Sequence, residues 1–383
     1  MTPLPLMTCM TRLIAAPSVS SVSPAWDQGN GPVIDLLAEW FEALGFCVER
    51  QAIPGHSGKF NLLARSGSGS GGLVLAGHTD TVPFDEALWH SDPFGLSERD
   101  GRLYGLGVAD MKGFFALVLE AIQGLDLKTL KYPLTILATA DEESSMCGAR
   151  ALAKAGRSLG RYAVIGEPTG LRPVRLHKGI GMEAVRILGQ SGHSSDPSLG
   201  RNAMEGMVRV LGTILAWRDE LQARHRNPAF GVAVPTLNLG HIHGGDNPNR
   251  ICGACELHLD LRTLPGMDLG ELRQTLRERI GGVLADSGLS WTLTPLFEGV
   301  PAFETLASST LVQVAEALTG HPAEAVAFAT EGPFLQKLGL ETLILGPGDI
   351  AQAHQPDEFL SLDRLVPTVT LLQGLIQRFC LTP

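Results

Sequence analysis

Gly71 to Pro83 reads GGLVLAGHTDTVP. Its apolar run, Leu73-Val74-Leu75-Ala76, is bounded by glycines and reads as a short buried strand. His78 and Asp80 follow, separated only by Thr79, and residues i and i+2 of an extended chain point the same way. An imidazole with a carboxylate beside it suits a metal ligand and its orienting partner. The same letters also describe a strand that ends in a polar turn. The choice depends on whether other strands deliver matching groups to the same place.

Three further apolar runs do. Leu134–Ala138 leads into Asp141-Glu142-Glu143, Tyr162–Ile165 into Gly166-Glu167, and Thr342–Leu345 into Gly346-Pro347-Gly348 and then His354. Helical spacing is read within Pro32–Glu49, from Ile34 to Leu44 with a stop at Gly45, and over Phe114–Ile122 and Cys147–Leu159. Strands alternating with helices predict an α/β fold, a mainly parallel sheet flanked by helices. Ligands of such sheets bind beyond the carboxyl ends of the strands, which is where His78, Glu142, Glu143, Glu167 and His354 lie. Asp110 precedes the helix at Phe114, the position of an acidic N-cap. Trp89–Leu106, rich in Gly, Asp and Pro, reads as a loop.

From Lys178 to Thr294 the texture changes. Strands over 181–190, 236–243, 250–264 and 290–294 and helices over 202–221 and 269–285 give the order β-α-β-β-α-β, a ferredoxin-like split βαβ unit. The expected organisation is a catalytic domain of residues 1–178 and 295–383, interrupted by an inserted α+β domain at 179–294.

Length and composition set outer bounds. A chain of 383 residues is long for one core. A formal charge of −10 opposes nucleic-acid and anionic-membrane partners. No run approaches the ~20 apolar residues of a membrane helix. The N-terminus, MTPLPLMTCMTRLIAAPSVS, lacks the charged n-region of a signal peptide, so a cytoplasmic location is expected. Six scattered cysteines form no disulfide framework, and Cys252-Gly-Ala-Cys255 reads as structural because no second pair accompanies it. Gly156-Arg-Ser-Leu-Gly160 has the letters of a nucleophile elbow but follows a helix and precedes a strand, the reverse of that motif. Gly67, Gly69 and Gly72 have dinucleotide-loop spacing but precede their strand.

Histidines and carboxylates at strand ends suit borderline ions such as Zn²⁺ or Co²⁺. The acids exceed what one catalytic ion needs, so two ions about 3.5–4 Å apart sharing a carboxylate are expected. Adjacent Glu142 and Glu143 suit a division of labour, one on metal and one moving the proton of a water.

GHTDTVP (77–83), GVADMKGF (107–114), ADEESS (140–145), GEPT (166–169) and AHQPDE (353–358) resemble, in order and spacing, the five metal-site motifs of the M20 family of dinuclear zinc amidohydrolases. The resemblance covers nearly the whole chain. It implies that His78 and Glu167 hold one ion, Glu143 and His354 the other, and that Asp110 bridges them. It implies that Asp80 orients His78 and that Glu142 is general base and then general acid; the family often has a cis peptide after the bridging aspartate, here Asp110-Met111. By the same resemblance the protein is a homodimer in which His193 reaches the partner subunit and steadies the oxyanion. Arg250 with Asn249 would clamp a substrate carboxylate, and Gly346 and Gly348 would bring backbone close to it. Zinc, replaceable by cobalt, and assistance by glutathione are likewise implied.

The outer motifs KFNLLA, GQSGHSSDP, PTLNLGHIHGGD, NRICGACELHLDLR and LGPGDIAQAHQPDEF resemble members that hydrolyse N2-acetyl-L-ornithine to L-ornithine and acetate in arginine biosynthesis. Members acting on succinyl-diaminopimelate, N-acetylcitrulline, other N-acyl amino acids or peptide C-termini share the metal motifs and stay open as alternatives. Outside that class stand a metal-dependent binding protein and a phosphoesterase, the latter opposed by the lack of an Arg/Lys cluster. His241 and His243 are read on one side of a strand, as structural or supporting groups. His56, His90, His177, His225, His258 and His321 are read as ordinary core or surface histidines.

Overall fold

The computed structural model describes residues 4–382. Strands Leu134–Thr139, Leu73–His78, Tyr162–Ile165 and Glu341–Ile344 lie side by side in that order, all parallel. The first three are buried at every position, as parallel strands covered on both faces must be. Alternation along them feeds two cores. Leu73, Leu75, Ile136, Val164 and Leu343 pack with the helices Leu6–Ile14, Lys112–Ile122 and Leu365–Ile376. Val74, Ala76, Leu137, Ala163 and Ile165 face Leu152 and Leu335 on the opposite side. Each fully buried Leu, Ile or Val is worth about 1.5–3 kcal/mol over an exposed one. With both faces covered, the strands hold a fixed register, and their carboxyl ends are presented together.

Beyond Leu134–Thr139 the sheet turns antiparallel, through Phe60–Ser66 to an edge strand, Cys47–Ala52. The helical spacing read from Ile34 to Leu44, with its stop at Gly45, is borne out, but the edge strand that follows was not foreseen. The helix is Gly31–Ala43; Gly45, at φ 92°, turns the chain out of it, and the remaining residues pair as the edge strand. Trp89–Leu106 is not all loop either. Ser97–Arg99 and Arg102–Tyr104 form a hairpin that Phe359–Ser361 extends. Its turn is Asp100-Gly101, both with positive φ, the residue pair a two-residue hairpin favours. Nor is Asp110 an N-cap. The helix begins at Lys112 behind Met111, with no side-chain cap, and the Asp110-Met111 peptide is cis.

The chain divides into two compact units. One holds the residues up to Arg175 with Thr305–Glu324 and those from Thr330 onward; the other holds Leu176–Glu304 with Ala325–Ala329. In the second unit an antiparallel sheet runs in the order Thr236–Gly244, Ala254–Thr263, Gly179–Leu188, Ser290–Pro295. Helices Ala203–Arg224 and Leu269–Leu284 complete the split βαβ order, their N-termini capped by the side chains of Asn202 and Asp268. Leu257, Leu259 and Leu261 are buried while Glu256, His258 and Asp260 between them are half-buried, as the alternation required. All six cysteines are free, Cys252 and Cys255 buried. Among the described residues, no helix is long and apolar enough to cross a membrane.

One buried amide ties the sheet to the loop that matters most. Asn61 donates from Nδ2 to the Gly148 carbonyl at 3.0 Å and accepts the Ala140 N–H at Oδ1, 3.2 Å away. Those two peptides bracket the segment that carries Glu142 and Glu143. A side chain at position 148 would stand 2.5 Å from Asn61 Oδ1 and 2.6 Å from the Ala140 nitrogen, which is why Gly148 is a glycine. Asn61→Ala leaves the bonds that the amide makes to Ala140 and Gly148 unmade, and is expected to cost about 1–3 kcal/mol in urea unfolding. An unchanged midpoint would show that the amide contributes nothing.

Candidate metal centre

His78 ends its strand almost fully buried. Its Nδ1 lies 3.0 Å from the Asp80 carbonyl oxygen and 3.7 Å from Asp80 Oδ1. Its Nε2 lies 3.1 Å from Asp110 Oδ1 and 3.8 Å from Glu167 Oε1. The other oxygen of Asp110 is 3.7 Å from His354 Nε2, which is itself 3.0 Å from Glu143 Oε2. One carboxylate thus stands between two imidazoles, and each imidazole has a glutamate of its own. Donor atoms of His78, Asp110 and Glu143 fall within 4.8 Å of one another, as do those of His78, Glu142 and Glu167.

Asp80 does more than flank His78. Its Oδ1 accepts the Glu142 N–H at 3.2 Å and its Oδ2 the Glu143 N–H at 3.1 Å. The end of one strand thereby fixes the loop that follows its neighbour. Asp141, at φ 63°, turns that loop, and its Oδ1 lies 2.6 Å from Lys59 Nζ, which also binds Asp27 at 2.7 Å.

Two acids of this region escaped the sequence reading. Glu358, buried, accepts the N–H groups of Gly107, Ala109 and Asp110 at 2.7–2.9 Å and so holds the loop that presents Asp110. It lies at the end of AHQPDE, and nothing in that motif marks it apart from its neighbours. Glu331, also buried, accepts from Thr139 Oγ1 at 2.8 Å, while its Oε1 has no partner. Nothing in Thr330-Glu331-Gly332-Pro333 distinguishes it from an ordinary acid at a helix start.

Burial governs the protonation of this cluster. Burial, then the charges of Glu167, Glu143 and Glu331, pushes Glu142 well above the carboxylate range despite the pull of His78. Glu167 is likewise pushed well up, by burial and by Asp110, Glu143 and Glu331. Glu143 rises through burial and Asp110. Burial opposes a charged His78, yet Glu167, Asp110 and Asp80 raise it well above its ordinary value. Four carboxylates packed against two imidazoles repel one another, and a pair of dications would relieve that repulsion. The donor set, nitrogen and oxygen without sulfur, fits zinc or cobalt.

The remaining expected site residues fall into two groups. In the first unit, Gly346 packs so closely on the Gly166-Glu167 backbone that a Cβ would come within 2.1 Å of the Gly166 oxygen. Gly348 packs in the same way on Ala109. The Gly346 N–H is already given to Thr169 Oγ1. In the second unit, His193 and Arg250 face each other in an isolated bridge, and the Ser194 N–H donates to the Asn249 carbonyl at 3.0 Å. His193 Nδ1 is 2.7 Å from Ser195 Oγ, and Arg250 Nη1 is 2.5 Å from Asp246 Oδ2. His241 and His243 are exposed; the His241 ring lies 5.1 Å from that of His258.

A sheet whose strand ends gather acids and histidines around one shared carboxylate belongs to the class of two-metal hydrolases. The model of peptidase family M20/M25/M40 matches residues 74–378, and the chain belongs to that family. It is 53% identical over 380 residues to the acetylornithine deacetylase of Edwardsiella ictaluri (strain 93-146), covering 99% of each chain. Among solved structures it resembles the M20 family metallo-carboxypeptidase Sso-CP2 of Sulfolobus solfataricus (TM-score 0.75, 19% identity, 97% of this chain and 98% of that one). It also resembles a dinuclear metal-binding M20 peptidase of Bacillus subtilis (TM-score 0.68, 15% identity, 97% and 96%).

The buried acids set a pH dependence for the metal-free protein. Burial pushes Glu331 up to about 7, and Glu358 up to about 8 against the N–H groups that pull it down. A group whose pKa is raised by folding keeps a proton that the unfolded chain has released, so rising pH favours unfolding. The melting temperature of chelator-treated protein is expected to fall between about pH 4.5 and pH 8. The decline should be shallower in Glu331→Gln below about pH 7. An equal slope in both proteins would show that Glu331 is not held protonated.

Proposed function

We propose that this chain is a metal-dependent amidohydrolase that converts N2-acetyl-L-ornithine to L-ornithine and acetate, a step of arginine biosynthesis, in the cytoplasm. The reaction class rests on one observation above the others, the Asp110 carboxylate between His78 with Glu167 and His354 with Glu143. The substrate rests on the full-length likeness to the Edwardsiella enzyme.

His78 and Glu167 would hold one ion, His354 and Glu143 the other, with Asp110 shared. Zinc is the proposed resident, exchangeable for cobalt, with glutathione as an assisting thiol. Bound there, the ions supply Lewis acidity toward the amide carbonyl and make a water easier to ionise at neutral pH. Glu142 takes the proton of that water as its oxygen bonds to the acyl carbon. When the carbon–nitrogen bond breaks, Glu142 gives the proton to the departing α-amine, leaving acetate and ornithine. Asp80 keeps the His78 ring in place through Nδ1 and keeps Glu142 in place through its N–H.

In the second unit, Arg250 and Asn249 would hold the α-carboxylate of the substrate. The His193 of one protomer would serve its partner in a homodimer by donating to the developing oxyanion.

Glu142→Gln is expected to lower turnover by about 10²–10⁴-fold with metal content unchanged, since general acid–base catalysis is worth about that much. Persistent activity would move the base elsewhere. Side-by-side hydrolysis of acetylornithine, acetylcitrulline, acetylmethionine and succinyl-diaminopimelate tests the substrate. Acetylornithine should have the highest kcat/KM, and preference for another amide would reassign the chain within its family. Mixing inactive His193→Ala protein with inactive Glu142→Gln protein should restore part of the activity if the histidine acts across a dimer. No recovery from subunits shown to have exchanged would place it in its own subunit.

A further inference from the structure

Behind the acid loop lies a second set of ligating atoms, separate from the centre around Asp110. His56, Asp141 and Cys147 each offer one donor atom, nitrogen, oxygen and sulfur, all within 4.8 Å of one another. Cys147 Sγ is 3.8 Å from Asp141 Oδ2. Both residues are buried, Cys147 at the first turn of the helix Cys147–Ala155 and Asp141 at the turn that begins the loop. His56 is exposed, but its turn is pinned at both ends: its N–H donates to the Ile53 carbonyl and its own carbonyl accepts from Lys59.

The charges leave room for a cation. Lys59 is shared between two carboxylates, Asp27 and Asp141, so this trio carries one negative charge in excess. Burial pushes the Cys147 thiol up to about 11, so without a cation it is a neutral thiol. A divalent ion that displaces the thiol proton would bring Lys59, Asp141, the thiolate and the partly exposed Asp27 to zero net charge.

We propose that His56, Asp141 and Cys147 form a separate, mononuclear site for a borderline divalent ion such as Zn²⁺ or Co²⁺. A nitrogen, an oxygen and a sulfur with a water on the open His56 side complete the four-coordinate set such ions accept. Mg²⁺ and Ca²⁺, which want oxygen throughout, are excluded by the thiolate. Binding forms one sulfur–metal bond and releases one proton from Cys147 to solvent. The ion would take the Asp141 oxygen that now accepts from Ser145 Oγ at 2.9 Å. It would therefore bear on the residue directly before Glu142. The site draws on no ligand of the centre around Asp110 and does not depend on the reading given to that centre.

The test is optical. Full-length protein freed of metal is titrated with Co²⁺, and a sulfur-to-cobalt charge-transfer band in the near ultraviolet is expected. The nitrogen and oxygen ligands around Asp110 cannot produce that band, so loss of the other centre would leave this readout intact. Cys147→Ser should abolish the band and retain one equivalent of cobalt fewer after gel filtration. His56→Ala, a change on an exposed turn, should keep the fold and lose the tightly held equivalent. No band in the native protein, a band that survives Cys147→Ser, or equal cobalt retention in both proteins would each overturn the proposal.

Discussion

The carboxylate of Asp80 accepts the N–H groups of Glu142 and Glu143 while its backbone carbonyl meets His78 Nδ1. Residues far apart in sequence are thereby fixed relative to one another by bonds of fixed direction. Parallel strands alone would bring His78 and the acid loop to the same edge of the sheet, but not to hydrogen-bonding registry. Charge-assisted bonds to backbone N–H groups are among the stronger ones available, and here they also satisfy donors that burial would otherwise leave unpaired.

The same device recurs around the centre. Glu358 holds the Asp110 loop through three backbone N–H groups, and Asn61 brackets the acid loop from the neighbouring strand. Lys59 draws Asp141 away from the cluster. A ring of polar side chains supports a smaller ring of ligands, and the supporting groups mostly grip peptide bonds. That arrangement suits a site of many like charges, because fixed dipoles hold the carboxylates together before any cation arrives.

How much of this could be read from the letters depended on the kind of signal. Fully buried parallel strands write themselves as uninterrupted apolar runs, so Leu73–His78, Leu134–Thr139 and Tyr162–Ile165 were legible to within two residues. The half-exposed edge strand Cys47–Ala52 has no such run and was not read as a strand. The hairpin at Asp100-Gly101 has strands of three residues, too short for alternation to emerge, although its turn pair was a usable sign. His78, Glu143 and Glu167 stood out because each lies at or just beyond the end of an apolar strand. Glu358 and Glu331 did not, because their importance comes from burial, and burial of an acid is set by tertiary contacts that no local pattern announces. Asp110 had the letters of a helix cap by position alone, and its place between His78 and His354 comes from tertiary contacts.

His354 differs from the other proposed ligands in one respect. His78, Asp110 and Glu167 are buried, whereas the side chain of His354 is 54% exposed and projects from a residue with φ 60° on a loop of short turns. For the ion pair proposed here, the two halves of the centre are therefore unequal in their access to solvent. The half built on His354 and Glu143 can open by moving one surface side chain; the half built on His78 and Glu167 opens only if the sheet edge itself gives way. With two ions bound as proposed, the one beside His354 would be expected to exchange before the one beside His78.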